Sequence, residues 1–168
     1  MSGSTRPYVA VIGGSSAALD VCQVAEEVGR ELARNGAVLV CGGLGGVMAA
    51  ACRGAKSAGG LTVGILPGAT REETNAWVDV AVPTGMGEAR NALVVRTADA
   101  LVAVGGEFGT LSEIALALKL GKPVVGIATW ELAQSGQPVD DPIVRVDDPV
   151  QAAQAALRLA ASFADSGH

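Results

Sequence analysis

Three glycine-rich turns carry the chemistry this sequence offers most plainly: Gly13-Gly14-Ser15-Ser16, Gly42-Gly43-Leu44-Gly45-Gly46 and Gly105-Gly106-Glu107-Phe108-Gly109. Each follows a short apolar run and precedes a helical pattern. Glycine lets backbone N–H groups approach a ligand closely, and the start of a helix presents unpaired N–H donors at the positive end of its dipole. An anion is therefore the natural guest, phosphate first among candidates. None of the turns spells the dinucleotide fingerprint, since Met48 stands where the third glycine counted from Gly43 belongs, and Gly121-Lys122 is followed by Pro123 and forms no Walker loop. Taken singly, each turn is equally well explained by a tight bend or a close helix-on-sheet contact. Three at one edge of a fold favour a ligand.

The elements that must bring them together follow from the hydrophobic pattern. Short apolar runs alternate with helical periodicity from end to end, which predicts an α/β fold: a single Rossmann-like domain with about seven parallel strands and helices on both faces. Strands are predicted at Tyr8 to Ile12, Ala37 to Cys41, Leu61 to Leu66, Trp77 to Val82, Ala100 to Val104 and Val124 to Ile127, with an edge strand at Ile143 to Val146. Leu19, Val21, Val24, Val28 and Leu32 mark one face of the first helix, which ends near Asn35-Gly36. A small-residue helix runs to about Ser57, Ala69 to Ala76 reads as a loop or short helix, and further helices cover Gly87 to Thr97 and the stretch up to Leu120. Gly121-Lys122-Pro123 closes the latter, and Asp148-Pro149 opens the last. In such a sheet every strand delivers its C-terminal end to one edge, where ligands lodge. The whole chain, 1–168, is expected to form this one domain, with flexible ends at 1–6 and 164–168.

Composition narrows the chemistry. The sole histidine is the last residue, His168, which removes histidine metal cages, Ser-His-Asp triads and Cys-His dyads together, so no metal site is expected. Aromatic residues make up 3% of the chain and the net charge is −5, which argues against nucleic acid as a partner. Cys22, Cys41 and Cys52 form neither a C-x-x-C pair nor an even disulfide framework and read as reduced, cytosolic thiols. Met1 to Pro7 lacks the order of a secretory signal, and the uncharged run Gly36 to Cys52 carries five glycines and is too short for a membrane span. A cytoplasmic protein with no membrane contact is expected.

Four segments together, Gly42-Gly43-Leu44-Gly45-Gly46-Val47-Met48, Ile65-Leu66-Pro67-Gly68, Gly85-Met86-Gly87-Glu88-Ala89-Arg90-Asn91 and Gly105 through Glu113, resemble the LOG-like Rossmann proteins, once mislabelled lysine decarboxylases. The resemblance covers most of the chain and looks strongest to the short bacterial branch that includes molybdenum cofactor carrier proteins. It implies a nucleotide-type, phosphorylated ligand and a homodimer or homotetramer. The family's phosphoribohydrolases cut nucleoside 5′-monophosphates into base and ribose 5-phosphate without a cofactor; their arginine falls on Arg90 and their glutamate on Glu113, with the glycine and threonine of their G-T at Gly109 and Thr110. The alternative implied by the carrier branch is a binding protein for a phosphorylated small molecule such as the molybdenum cofactor, without turnover. The expected ligand-holding residues are Gly13, Gly14, Ser15, Gly42, Gly43, Gly45, Gly46, Gly105, Gly106, Gly109 and Thr110, with Met86, Asn91 and Glu107 as modulators. At Glu107 the chain departs from the family's glycine and sets a carboxylate beside the phosphate seat.

Chemistry supports either role for the charged pair. Cleaving an N-glycosidic bond develops positive charge on the ribose, which a carboxylate at Glu113 would stabilise while Arg90 binds phosphate or orients the sugar. Thr110-x-x-Glu113 also reads as a capping box, and Ser15 and Thr110 as caps, phosphate ligands or both. Lys56, Lys119 and Lys122 occupy helical or helix-end settings unlike that of a cofactor-binding lysine, which argues against a pyridoxal-dependent decarboxylase.

Overall fold

The computed structural model describes residues 5–140 and 142–165. The expected flexible ends fall largely outside them. A seven-stranded sheet forms from β1 (Tyr8–Gly13), β2 (Val38–Cys41), β3 (Leu61–Leu66), β4 (Val80–Pro83), β5 (Ala100–Val104), β6 (Val124–Ile127) and β9 (Val144–Arg145), all parallel, in the order β4-β3-β2-β1-β5-β6-β9. The chain moves outward from β1 to β4, then returns to start again on the other side at β5. The connections leaving β1 and β5 thus diverge, opening a crevice at the C-terminal edge.

Alternation along the strands explains why helices cover both faces. Val9 and Val11 of β1, Leu39 of β2 and Val102 of β5 point into one core with α1 (Leu19–Arg34), α2 (Val47–Ser57) and α5 (Pro149–Asp165). Ala10, Ile12, Val40 and Leu101 point into the other, with α3 (Asn91–Thr97) and α4 (Phe108–Lys119). A sheet buried on both sides has no polar face to alternate with, which is why its strands read as unbroken apolar runs. No described helix is long and apolar enough to cross a membrane.

Terminators act as expected. Gly121 adopts φ +70° and the Lys122 N–H reaches back 2.9 Å to the Ala117 carbonyl, closing α4, while Asp148 accepts the Gln151 N–H at 2.8 Å ahead of α5. Three elements differ from prediction by more than one residue. The fourth strand starts at Val80 instead of Trp77, because the Asn75 side chain captures the Trp77 N–H at 3.0 Å and Thr62 Oγ1 donates to the Trp77 carbonyl at 2.6 Å, holding this stretch in a turn. The predicted helix over Gly87 to Thr97 is a 3-10 turn at Gly87–Arg90 followed by α3. The edge strand keeps only two residues. A hairpin of β7 (Ala133–Gln134) and β8 (Gln137–Pro138) was not foreseen, although Ser135 and Gly136, with φ +51° and +76°, supply the two left-handed positions of a primed turn.

Two glycines set how closely α1 meets α2. A Cβ at Gly29 would collide with the Ala51 carbonyl oxygen, and one at Gly54 with the Glu26 carbonyl oxygen. Arg53 bridges the same helices through Glu26, at 2.9 Å from Nε and 2.5 Å from Nη2. Alanine is intrinsically better than glycine in a helix by about 1 kcal/mol, but forcing helices apart in a packed core costs about 1–3 kcal/mol. Gly54→Ala is accordingly expected to lower the urea unfolding midpoint despite its better propensity. An unchanged or raised midpoint would show that the contact yields.

Candidate functional site

At the C-terminal edge a cavity of about 270 Å³ opens where the β1, β2 and β5 connections meet. Its walls include Gly13, Gly14 and Ser15 after β1, Gly42 after β2, and Glu107, Gly109, Thr110 and Glu113 at the start of α4. Arg90 and Asn91 enter from the junction of the 3-10 turn with α3. Segments nearly a hundred residues apart in sequence thus share one concavity.

Arg90 is its main positive charge. The side chain is only 7% exposed, and its Nε is buried without a hydrogen-bond partner. The guanidinium lies against Gly42, where a Cβ would run into Nη1. That glycine is required for space, so any side chain at position 42 would evict the arginine. Burial pushes the Arg90 pKa below its ordinary range, opposed by the nearby carboxyl of Glu113. Beneath it, Cys41 Sγ accepts the Gly43 N–H at 3.3 Å and stands 3.4 Å from Cys52 Sγ, pinning the start of the loop; all three cysteines are free thiols.

Glu113 is likewise 7% exposed. Desolvation raises its pKa from 4.5 to about 7 against the pull of Arg90, and the two side chains form no ion pair. The capping-box reading does not survive. Helix α4 begins at Phe108 with Glu107 as N-cap and no side-chain cap bond, so Glu113 lies a turn and a half inside the helix. The first intrahelical bond of α4 runs from Leu111 N–H to Glu107 O at 3.0 Å, leaving the N–H groups of Phe108, Gly109 and Thr110 ahead of it. Asn91 approaches from α3, its Nδ2 donating to Ser112 Oγ at 3.3 Å. A buried guanidinium and a helix N-terminus are both groups that can hold an oxyanion.

The glycine turns divide between two tasks. Gly14, Gly42 and Gly109 face the cavity, whereas Gly46 packs against the Gly14 carbonyl, which also accepts the Val47 N–H at 3.0 Å. Gly13 reaches the wall but is held by packing too, since a Cβ there would meet Val104 O at 2.6 Å. Gly43, Gly45, Gly46 and Met86 do not line the cavity. Gly105 and Gly106 line a neighbouring hollow with Ala128, Thr129 and Trp130. Ser15 is exposed and precedes the α1 N-cap, Ala18, so it caps nothing. Leu44, Met48, Pro67 and Glu88 join the wall without having been singled out, although each lies in or beside a glycine motif that pointed there. Among the described residues no cluster of three His, Cys, Asp or Glu could hold a metal ion. Lys56 is tied to Asp79 at 2.8 Å and Lys122 to the Arg96 carbonyl at 2.9 Å, away from the cavity.

The SLOG cluster4 family model matches residues 6–153 of this chain. A protein of Archaeoglobus fulgidus, described as uncharacterized, is 47% identical over 119 residues, spanning 71% of this chain and 78% of its own. Among solved structures, the molybdenum cofactor binding protein of the phototrophic bacterium Rippkaea orientalis superposes with a TM-score of 0.83 at 34% identity, over 93% of this chain and 98% of that one. The Moco carrier protein of Chlamydomonas reinhardtii does so with a TM-score of 0.81 at 35% identity, over 94% and 99%. DNA processing protein A from Helicobacter pylori, at 22% identity and a TM-score of 0.67, shares the fold.

Glu113 makes stability depend on pH. Its folded-state pKa lies above the unfolded value, so the native chain holds this proton more tightly; the resulting stabilisation is complete below about pH 4.5 and lost as pH rises through about 7. The full span is worth at most about 3 kcal/mol. Glu113→Gln, which keeps the size and removes the ionisation, is expected to raise the melting temperature relative to wild type at pH 8 and to narrow that gap at pH 5. Parallel melting curves at both pH values, with no widening at pH 8, would refute this.

Proposed function

The chain belongs to the SLOG cluster4 family, and from that premise we propose that it binds and carries a phosphorylated small molecule of the molybdenum-cofactor or nucleotide type at the C-terminal edge of its sheet. The observation that carries this reading is Arg90: a guanidinium 7% exposed, with a buried and unpartnered Nε, on the wall of a cavity that also holds the N-terminus of α4. Keeping a charge out of water without a counter-charge in contact is costly, and an incoming oxyanion relieves that cost. The naming of the Rippkaea and Chlamydomonas relatives for the molybdenum cofactor supports the same class of cargo.

A second reading, hydrolysis of the N-glycosidic bond of a nucleoside 5′-monophosphate, draws on Glu113. A carboxyl with a pKa near 7 in the cavity wall is suited to moving a proton at neutral pH. Arg90 would then hold the phosphate while Glu113 faces the ribose. The two readings share a binding site and differ in turnover.

Binding is tested by titrating the protein with 5′-mononucleotides and with the matching nucleosides. Phosphate-bearing ligands are expected to bind more tightly, and Arg90→Gln to weaken them by about 10- to 100-fold, as befits loss of a charge-assisted hydrogen bond. Equal binding of nucleotide and nucleoside would defeat the proposal. Chromatography of the same mixtures decides turnover: the carrier reading expects intact nucleotide, and base release that disappears in Glu113→Gln would establish the hydrolase instead.

A further inference from the structure

Glu107 is the residue that the phosphate reading leaves unexplained. It lines the same cavity as Arg90, and its side chain lies along Gly14, where a Cβ would stand 2.8 Å from Oε1, 3.3 Å from Cδ and 3.5 Å from Cγ. The missing side chain at Gly14 therefore makes the room this carboxylate occupies. Among the described residues no hydrogen bond or ion pair engages its carboxylate; its backbone carbonyl accepts the Leu111 N–H at 3.0 Å and Trp130 Nε1 at 3.3 Å. An ionised carboxylate only accepts, so this corner of the cavity repels a second anion and attracts N–H donors.

Aromatic rings adjoin the Glu107 backbone, through the Trp130 Nε1 bond and the neighbouring Phe108. Trp130 and Phe108 pack with ring centroids 5.5 Å apart at 35°, and Phe108 is 79% exposed. Trp130 lines the hollow of about 260 Å³ together with Gly105, Gly106 and Ala128, where Ala128 holds a left-handed φ of +46° that costs a non-glycine residue energy. A carboxylate in the wall of the cavity that holds the oxyanion seat fits a ligand that carries phosphate at one end and N–H donors at the other.

We propose that Glu107 selects the ligand by accepting two adjacent N–H donors from the edge of a planar heterocycle, the 2-amino-4-oxopyrimidine edge that guanine and pterin share. The proposal rests on the phosphate-binding reading and adds the chemistry at the other end of the ligand. Guanine offers N1–H and its 2-amino group side by side, a match for two carboxylate oxygens. Hypoxanthine keeps N1–H and lacks the amino group. Adenine turns the lone pair of N1 toward the carboxylate. The expected order of affinity is therefore GMP, then IMP, then AMP. A site built to hydrogen-bond a donor rejects the analogue lacking it more strongly than an apolar pocket rejects a missing methylene.

Isothermal titration of the full chain with GMP, IMP, AMP and guanosine tests this. GMP is expected to bind about tenfold or more tightly than IMP, and Glu107→Gln to shrink that ratio to under about threefold while the preference for GMP over guanosine persists. Glu107 is exposed, and a melting curve of the variant verifies that it folds. Equal affinity of wild type for GMP and IMP, or a ratio that survives in Glu107→Gln, overturns the proposal and leaves phosphate binding standing. If GMP binds no better than guanosine, the phosphate reading itself has failed.

Discussion

Arg90 imposes the condition that the rest of the site satisfies. A guanidinium almost wholly withdrawn from water, with Nε unpaired and, among the described residues, no ion pair to a carboxylate, depends on its neighbours to hold it in place. Gly42 supplies the gap beside it, Cys41 anchors the loop that contains Gly42, and the 3-10 turn sets where the arginine enters. Glu113, close enough to feel this charge but not to pair with it, is left as a carboxyl poised near neutrality. Uncompensated positive charge beside a helix N-terminus is a standing attraction for an anion.

The cavity balances that attraction with discrimination. Arg90 and the free amide groups of α4 attract negative charge, while the carboxylate of Glu107, the residue just ahead of those amides, repels it from the same wall. A site of one sign throughout would accept any small anion. One whose wall carries both signs discriminates among ligands by where their own charges and donors lie.

Much of this was legible in the sequence. The strand and helix alternation, the closing Gly121 and the opening Asp148 all follow from local rules and stand where expected. Arg90, Glu113, Gly14, Gly42, Gly109 and Thr110 meet in one cavity because parallel topology sends every βα connection to the same edge. What escaped was decided by contacts distant in sequence or by single side chains. Asn75 and Thr62 delay β4 by three residues, a competition invisible to hydrophobic pattern. Sequence could not divide the glycines into those that face the ligand and those, such as Gly46, that let backbone meet backbone. Nor could it tell Thr110-x-x-Glu113 from a capping box, because that depends on where α4 starts, and Glu107 rather than Thr110 takes the N-cap.

The walls of the cavity are drawn from five separate stretches: the end of β1 and its turn, the turn and first residues after β2, Pro67, the 3-10 turn with the start of α3, and the start of α4. No contiguous fragment contains more than a share of them, so during synthesis the site cannot exist until at least β5 and the start of α4 have been made and docked beside β1. Any molecule held there clamps both halves of the sheet across the point where they diverge. Its binding energy is then spent on the whole tertiary structure at once, in proportion to the logarithm of its concentration. Partial melting at either side of β1 would open the cradle, so occupancy of the cavity and cohesion of the sheet are linked, each favouring the other.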